Sequence, residues 1–196
     1  MTLKQFIKKY DFEGSVVLLE GKRTVTESDI EKLISLGKLL ASKTKHILFR
    51  SGNASGADYY FSCGVASVNP KRLQSIIPYR NHRQRENNAY YTISLDEINI
   101  VNEPDVIYQS KFNKKTENLI DNYVSGNVNR FTIKSAYILR DTVKVIGTTN
   151  INPADFGIFY DDLANPMSGG TGHTMKICTH NSIPFINQSV WFNWLN

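Results

Sequence analysis

The chain is poor in the residues that staple or metallate small folds. It has two cysteines, Cys63 and Cys178, set far apart and without metal-ligand spacing or a paired redox motif. A disulfide framework is thereby excluded, and two buried, reduced thiols in a cytoplasmic protein are predicted. The four histidines, His46, His82, His173 and His180, show no ligand spacing either, so no metal and no cofactor is expected. No stretch approaches the roughly 18 apolar residues of a membrane span. Met1 to Glu13 lacks the continuous apolar core and small-residue cleavage site of a secretory signal. Repeats and low-complexity tracts are also missing, which excludes a solenoid and a disordered tail.

What is present suits one globular domain spanning 1–196, with 41% hydrophobic residues to build its core. The net charge of +5, from 23 basic and 18 acidic residues, favours phosphate-bearing partners, yet the basic residues are scattered along the chain.

The hydrophobic pattern alternates between strand and helix. Ser15 to Glu20 is an apolar run that ends at Gly21-Lys22-Arg23 and reads as a buried strand. Thr26 and Asp29 form a capping-box pattern, and Ile30, Leu33, Ile34, Leu36, Leu39 and Leu40 then follow helical spacing to about Ser42. His46 to Arg50 is a second strand, Ser51 to Gly56 a loop, and Ala57 begins another helix. Further strands are expected at Gln74–Pro78, Ala154–Tyr160 and Ile183–Asn187, with a short one at Pro104–Tyr108. Residues 81–135 lose the rhythm and read as an insertion, mainly helical. Such alternation predicts an α/β, Rossmann-like, mostly parallel sheet flanked by helices.

Three glycine-bearing loops follow predicted strands: Gly21-Lys22-Arg23, Ser51-Gly52-Asn53-Ala54-Ser55-Gly56-Ala57-Asp58, and Ser168-Gly169-Gly170-Thr171-Gly172-His173-Thr174. Parallel strands deliver all three to one sheet edge, where ligands of open α/β sheets bind. Glycine lets backbone N–H groups approach an anion, and a following helix adds its positive end. In the third loop Thr171 and Thr174 offer hydroxyls, and His173 either contacts the ligand or fills space. In the second, the serines and glycines are equally explained as a helix cap and a turn, and Asp58, a candidate to orient a ligand ribose or backbone amides, is better explained by the dipole of the helix it starts. Asp161, after a strand end, is a candidate for a ribose contact or a local turn. The aromatic C-terminus, Trp191 to Leu195, reads as core or interface, which leaves a homo-oligomer open.

These loops resemble the SLOG superfamily, the Rossmann-like group that includes the LONELY GUY phosphoribohydrolases and DNA-processing protein A. Ser51 to Asp58 is similar to that group's serine-glycine-glycine-alanine, glycine-alanine-aspartate signature, with Asn53 at the second glycine. Gly169 to Thr174, with Ile183 to Asn187 after it, resembles the C-terminal pattern of phage-associated and bacterial members. Arg140-Asp141 stands where that subgroup has an arginine-asparagine pair, and the resemblance makes Arg140 a candidate phosphate ligand. It spans residues 15–80 and 136–190 and implies a pocket for a nucleotide or nucleotide sugar, in a group whose members range from enzymes to sensors of nucleotide signals. The expected role is a sensor, carrier or sequestering protein for a nucleotide-derived ligand, acting in phage–host conflict.

The resembling hydrolases carry a proline before the glycine pair and a catalytic glutamate in the next helix, where this chain has Ser168 and Lys176. Lysine is no substitute for that carboxylate. The catalytic residues are therefore unassigned, and the alternative, a nucleotide N-glycosidase or phosphoribohydrolase, would need Asp161, Asp58 or His173 in that role. DNA or RNA binding is disfavoured by the lack of a basic stripe with interleaved aromatics.

Overall fold

Val16, Val17, Leu18 and Leu19 are all fully buried, which requires apolar cover on both faces of their strand. The computed structural model, which describes residues 1–127, 129 and 133–196, supplies that cover. Strand β1 (Val16–Gly21) lies inside a six-stranded sheet with β2 (Leu48–Ser51), β3 (Leu73–Ile77), β4 (Tyr91–Ser94), β5 (Phe156–Tyr160) and β6 (Phe185–Ile186). The order is β4-β3-β2-β1-β5-β6, and every pairing is parallel, with Val16 opposite Leu48 and Leu18 opposite Gly157. The predicted Rossmann-like α/β fold is the fold observed.

Alternation along β1 sorts the core into two layers. Val17 and Leu19 pack with residues of α1 (Leu3–Tyr10), α2 (Glu27–Lys43), α3 (Ala57–Ala66) and α8 (Gln188–Trp191). Val16 and Leu18 pack with α6 (Ile133–Ile146) and α7 (Gly169–His180). Leu33, Leu36 and Leu40, one face of α2, are fully buried. Each such leucine stabilises the fold by about 1.5–3 kcal/mol relative to exposure. Trp191 and Trp194 join the first layer, so the C-terminal aromatics close the core.

Several sequence expectations are corrected. Pro104 does not open a strand: it is the first residue of helix α4 (Pro104–Ser110), where its missing N–H costs nothing. The 81–135 segment is not wholly helical, since β4 forms a sheet edge and is followed by α4 and α5 (Glu117–Val124); residues 128 and 130–132 of that segment lie outside the described residues. The Thr26–Asp29 box is replaced by a direct bond, Thr26 Oγ1 donating to the Asp29 carboxylate at 2.8 Å. The last strand shrinks to two residues. Cys178 is buried, and burial pushes its thiol up to about 12, but Cys63 is only half-buried. No helix among the described residues is long and apolar enough to cross a membrane.

Candidate functional site

The strand order reverses beside β1: the chain builds outward through β2, β3 and β4, then returns to place β5 on the other flank. At that switch point the loops after β1 and β5 part and leave a crevice outside the carboxyl ends. A cleft of about 1060 Å³ opens there. Ten of the sequence candidates line it: Gly21, Lys22, Arg23, Asp58, Arg140, Gly169, Gly170, Thr171, His173 and Thr174. Ser51, Gly52, Asn53, Gly56, Asp161 and Gly172 do not.

The third glycine loop is the first turn of α7 rather than a loop before a helix. Gly172 N–H donates to Ser168 O at 2.9 Å, and Ser168 makes no side-chain cap. The N–H groups of Gly169, Gly170 and Thr171 therefore have no intrahelical acceptor, and no acidic residue occupies that turn. A Cβ on Gly172 would sit 1.8 Å from Met167 O, whereas one on Gly170 would meet nothing nearer than Asp141 Oδ2 at 3.6 Å. Thr174 is buried, and its hydroxyl donates back to Gly170 O at 3.3 Å, so it is occupied within the helix. His173 lies 3.3 Å from the Thr142 hydroxyl, and burial lowers its pKa.

Scaffolding explains most of the second loop. Asp58 accepts from the backbone N–H groups of Gly21 at 3.1 Å and Gly52 at 3.0 Å, tying the ends of β1 and β2 together. The Asn53 side chain donates to His82 O at 3.1 Å. At Gly56, φ is +80°, and a Cβ would strike the Arg23 carbonyl. Asp161 likewise accepts from Met167 N–H at 3.0 Å and shapes the turn before α7.

Beneath the cleft lies an ion network carried by α6. Lys144 Nζ is 2.6 Å from Glu20 Oε1 and 2.8 Å from Asp141 Oδ1. Arg140 donates through one terminal nitrogen to Gly52 O. Its Nε lies 3.0 Å from Asp141 Oδ1 in an ion pair, yet at an angle that leaves the Nε–H without an acceptor. Burial pushes the Glu20 carboxyl up to about 7 against the pull of Lys144, with Asp58 and Asp141 adding to the rise. Asp141 moves the other way: despite its burial, Arg140 and Lys144 hold it below the usual carboxylate range.

Sequence reading missed Glu20 and Lys144. The available signal was a carboxylate ending an otherwise apolar strand, and a lysine one helical turn after Arg140 between Val143 and Val145. Charge at the cleft is not scattered. Among the described residues its lining carries eight basic and four acidic side chains, an excess of four against five for the whole chain.

No family model matches the chain, and no curated protein matches it. Among solved structures, its fold is similar to that of DNA processing protein A from Helicobacter pylori, a protein with a single-stranded DNA binding mode. The TM-score is 0.51 at 15% identity, over 95% of this chain and 68% of that one. At such identity the likeness shows a shared Rossmann-like fold.

Proposed function

We propose that this chain binds a phosphate-bearing nucleotide or nucleotide-derived ligand in the switch-point cleft, as a sensor, carrier or sequestering protein. The observation that carries the reading is a cleft whose lining holds an excess of four positive charges, against five for the whole chain, and into which α7 opens with unpartnered N–H groups. The SLOG-like glycine pattern supports it. In this reading the amides of Gly169 to Thr171 receive a phosphate, and Lys176, exposed about one and a half turns further along α7, adds its charge.

Calorimetric titration with the four nucleoside 5′-monophosphates tests it. At least one should bind, and Lys176→Ala should weaken that binding by about 0.5–1.5 kcal/mol without changing thermal stability. Absence of binding across the panel and to the corresponding 5′-phosphorylated dinucleotides, in folded protein, would refute the proposal.

Glu20 favours a second reading, nucleotide hydrolysis. Of the four acidic side chains lining the cleft, Asp58 is engaged with backbone amides, Asp141 with Arg140 and Lys144, and Asp162 with Lys22. Glu20, buried beside Lys144, is raised to about 7, which suits proton transfer near neutrality. Chromatography of nucleotide incubations distinguishes the two: free base released by the protein and abolished in Glu20→Gln favours the enzyme.

A further inference from the structure

The cleft has a second cationic region, built by a different part of the chain. Gln109 and Asn181 exchange side-chain hydrogen bonds at 2.7 and 3.2 Å, and the Phe112 ring lies 4.6 Å from that of His180. These contacts dock residues 109–112 against the C-terminal end of α7. The chain then turns through Lys114–Thr116, where the Asn113 side chain accepts from Lys115 N–H at 3.1 Å and the Thr116 hydroxyl donates to Asn113 O at 3.0 Å. Thr116 is buried, while Lys114 and Lys115 are exposed and line the cleft.

An ordered turn thus presents two adjacent ammonium groups to a cleft whose other cationic region is the start of α7. Lys134, at the beginning of α6, also lines the cleft. Among the described residues none of Lys114, Lys115, Lys134 or Lys176 has a carboxylate within ion-pair distance, whereas Lys111 is paired with Asp121. Unpaired lysines gathered on a concave wall repel one another, a cost offset when an anion binds between them.

The two regions are separated along α7. This helix has 12 residues, and at about 1.5 Å per residue its ends are on the order of 16 Å apart. The Lys114–Lys115 turn follows directly on Phe112, which contacts the last residue of α7, so a ligand that meets both the opening amides of α7 and that turn must span much of the helix. The volume of about 1060 Å³ also lies at the upper limit of the roughly 300–1,000 Å³ typical of small-molecule sites.

From this arrangement we infer that the ligand is a nucleotide bearing at least two separated phosphoryl groups, of the dinucleotide class, with one phosphate on the α7 amides and another on Lys114 and Lys115. The inference rests on the nucleotide-binding reading and adds the class of ligand.

The test compares nucleoside 5′-monophosphates with the corresponding 5′-phosphorylated dinucleotides and a ten-nucleotide single-stranded DNA at low ionic strength. The preferred dinucleotide should bind about tenfold or more tightly than its monophosphate. In Lys114→Ala/Lys115→Ala that advantage should fall to about twofold, with monophosphate affinity reduced by no more than about twofold and the melting temperature unchanged. Equal affinity for mono- and dinucleotide in the unaltered protein would overturn the inference while leaving nucleotide binding intact. No binding of either would remove both readings. DNA binding about tenfold tighter than the dinucleotide would overturn it in favour of a nucleic-acid strand as occupant.

Discussion

Gly170 and Gly172 stand two residues apart and do different work. A side chain at Gly170 has room, so Gly170→Asp should fold normally but project a carboxylate beside Asp141 where an anion should approach. It should weaken nucleotide binding about tenfold, or ~1.4 kcal/mol, with the melting temperature unchanged. A side chain at Gly172 collides with the Met167 carbonyl. Gly172→Ala should therefore cost about 2–4 kcal/mol of stability, measured by urea unfolding, because backbone must move. If Gly170→Asp instead unfolds the protein and Gly172→Ala does not, the roles are reversed.

Two buried titrating residues oppose each other. Glu20 is raised to about 7, so the native state holds a proton that the unfolded chain gives up above its usual value near 4.5. That contribution is fully present below 4.5 and is lost as pH rises toward 7. His82 is lowered to about 4 by burial and by Arg140, Arg83 and Arg23. Its contribution is present above 6.5 and is lost as pH falls toward 4. Urea midpoints between pH 4.5 and 7 should accordingly separate the residues: Glu20→Gln should remove stability loss on raising pH, and His82→Gln stability loss on lowering it. A Glu20→Gln profile parallel to that of the unaltered protein would mean that Lys144 keeps Glu20 ionised throughout.

At the scale of elements, α2 and α3 meet through Gly37 and Gly64. A Cβ on Gly64 would lie 2.1 Å from Ile34 O, and one on Gly37 would lie 2.4 Å from Phe61 O. This close approach seats both helices on one face of the sheet and brings Asp58, in the first turn of α3, to the ends of β1 and β2. Gly64→Ala should push the helices apart and lower stability by about 2–4 kcal/mol, a fall of roughly 5–10 °C in melting temperature. An unchanged melting temperature would show that the helix pair relaxes freely. Helix α6 is the other decisive element. Its polar cluster of Arg140, Asp141 and Lys144 faces the cleft while Leu139 and Val143 face the core, a mixture that blurred its periodicity in sequence.

At the scale of the molecule, the charge distribution makes a direct prediction. An excess of four positive charges in one concave site should make nucleotide binding fall steeply with salt, by about tenfold between 50 and 300 mM. Salt-insensitive binding, followed by titration at fixed pH, would place the ligand in an uncharged part of the surface.

The sequence by itself determined the alternation of β1, α2, β2 and α3, the parallel sheet and the edge at which the glycine segments meet, because burial on both faces and helical spacing are local patterns. It also singled out Gly169 to Thr171 and Arg140, which line the cleft. Only the tertiary structure decided that Asp58 and Asp161 hold backbone amides, that Glu20 and Lys144 form a buried pair, and that lysines 114 and 176 share one cleft. The physical reason is that a carboxylate's partner and a cation's neighbours are set by chain segments tens of residues away. Charges scattered along the chain became a charged site only when the fold gathered the loops after β1 and β5, the Lys114–Thr116 turn, α6 and α7 around one cleft.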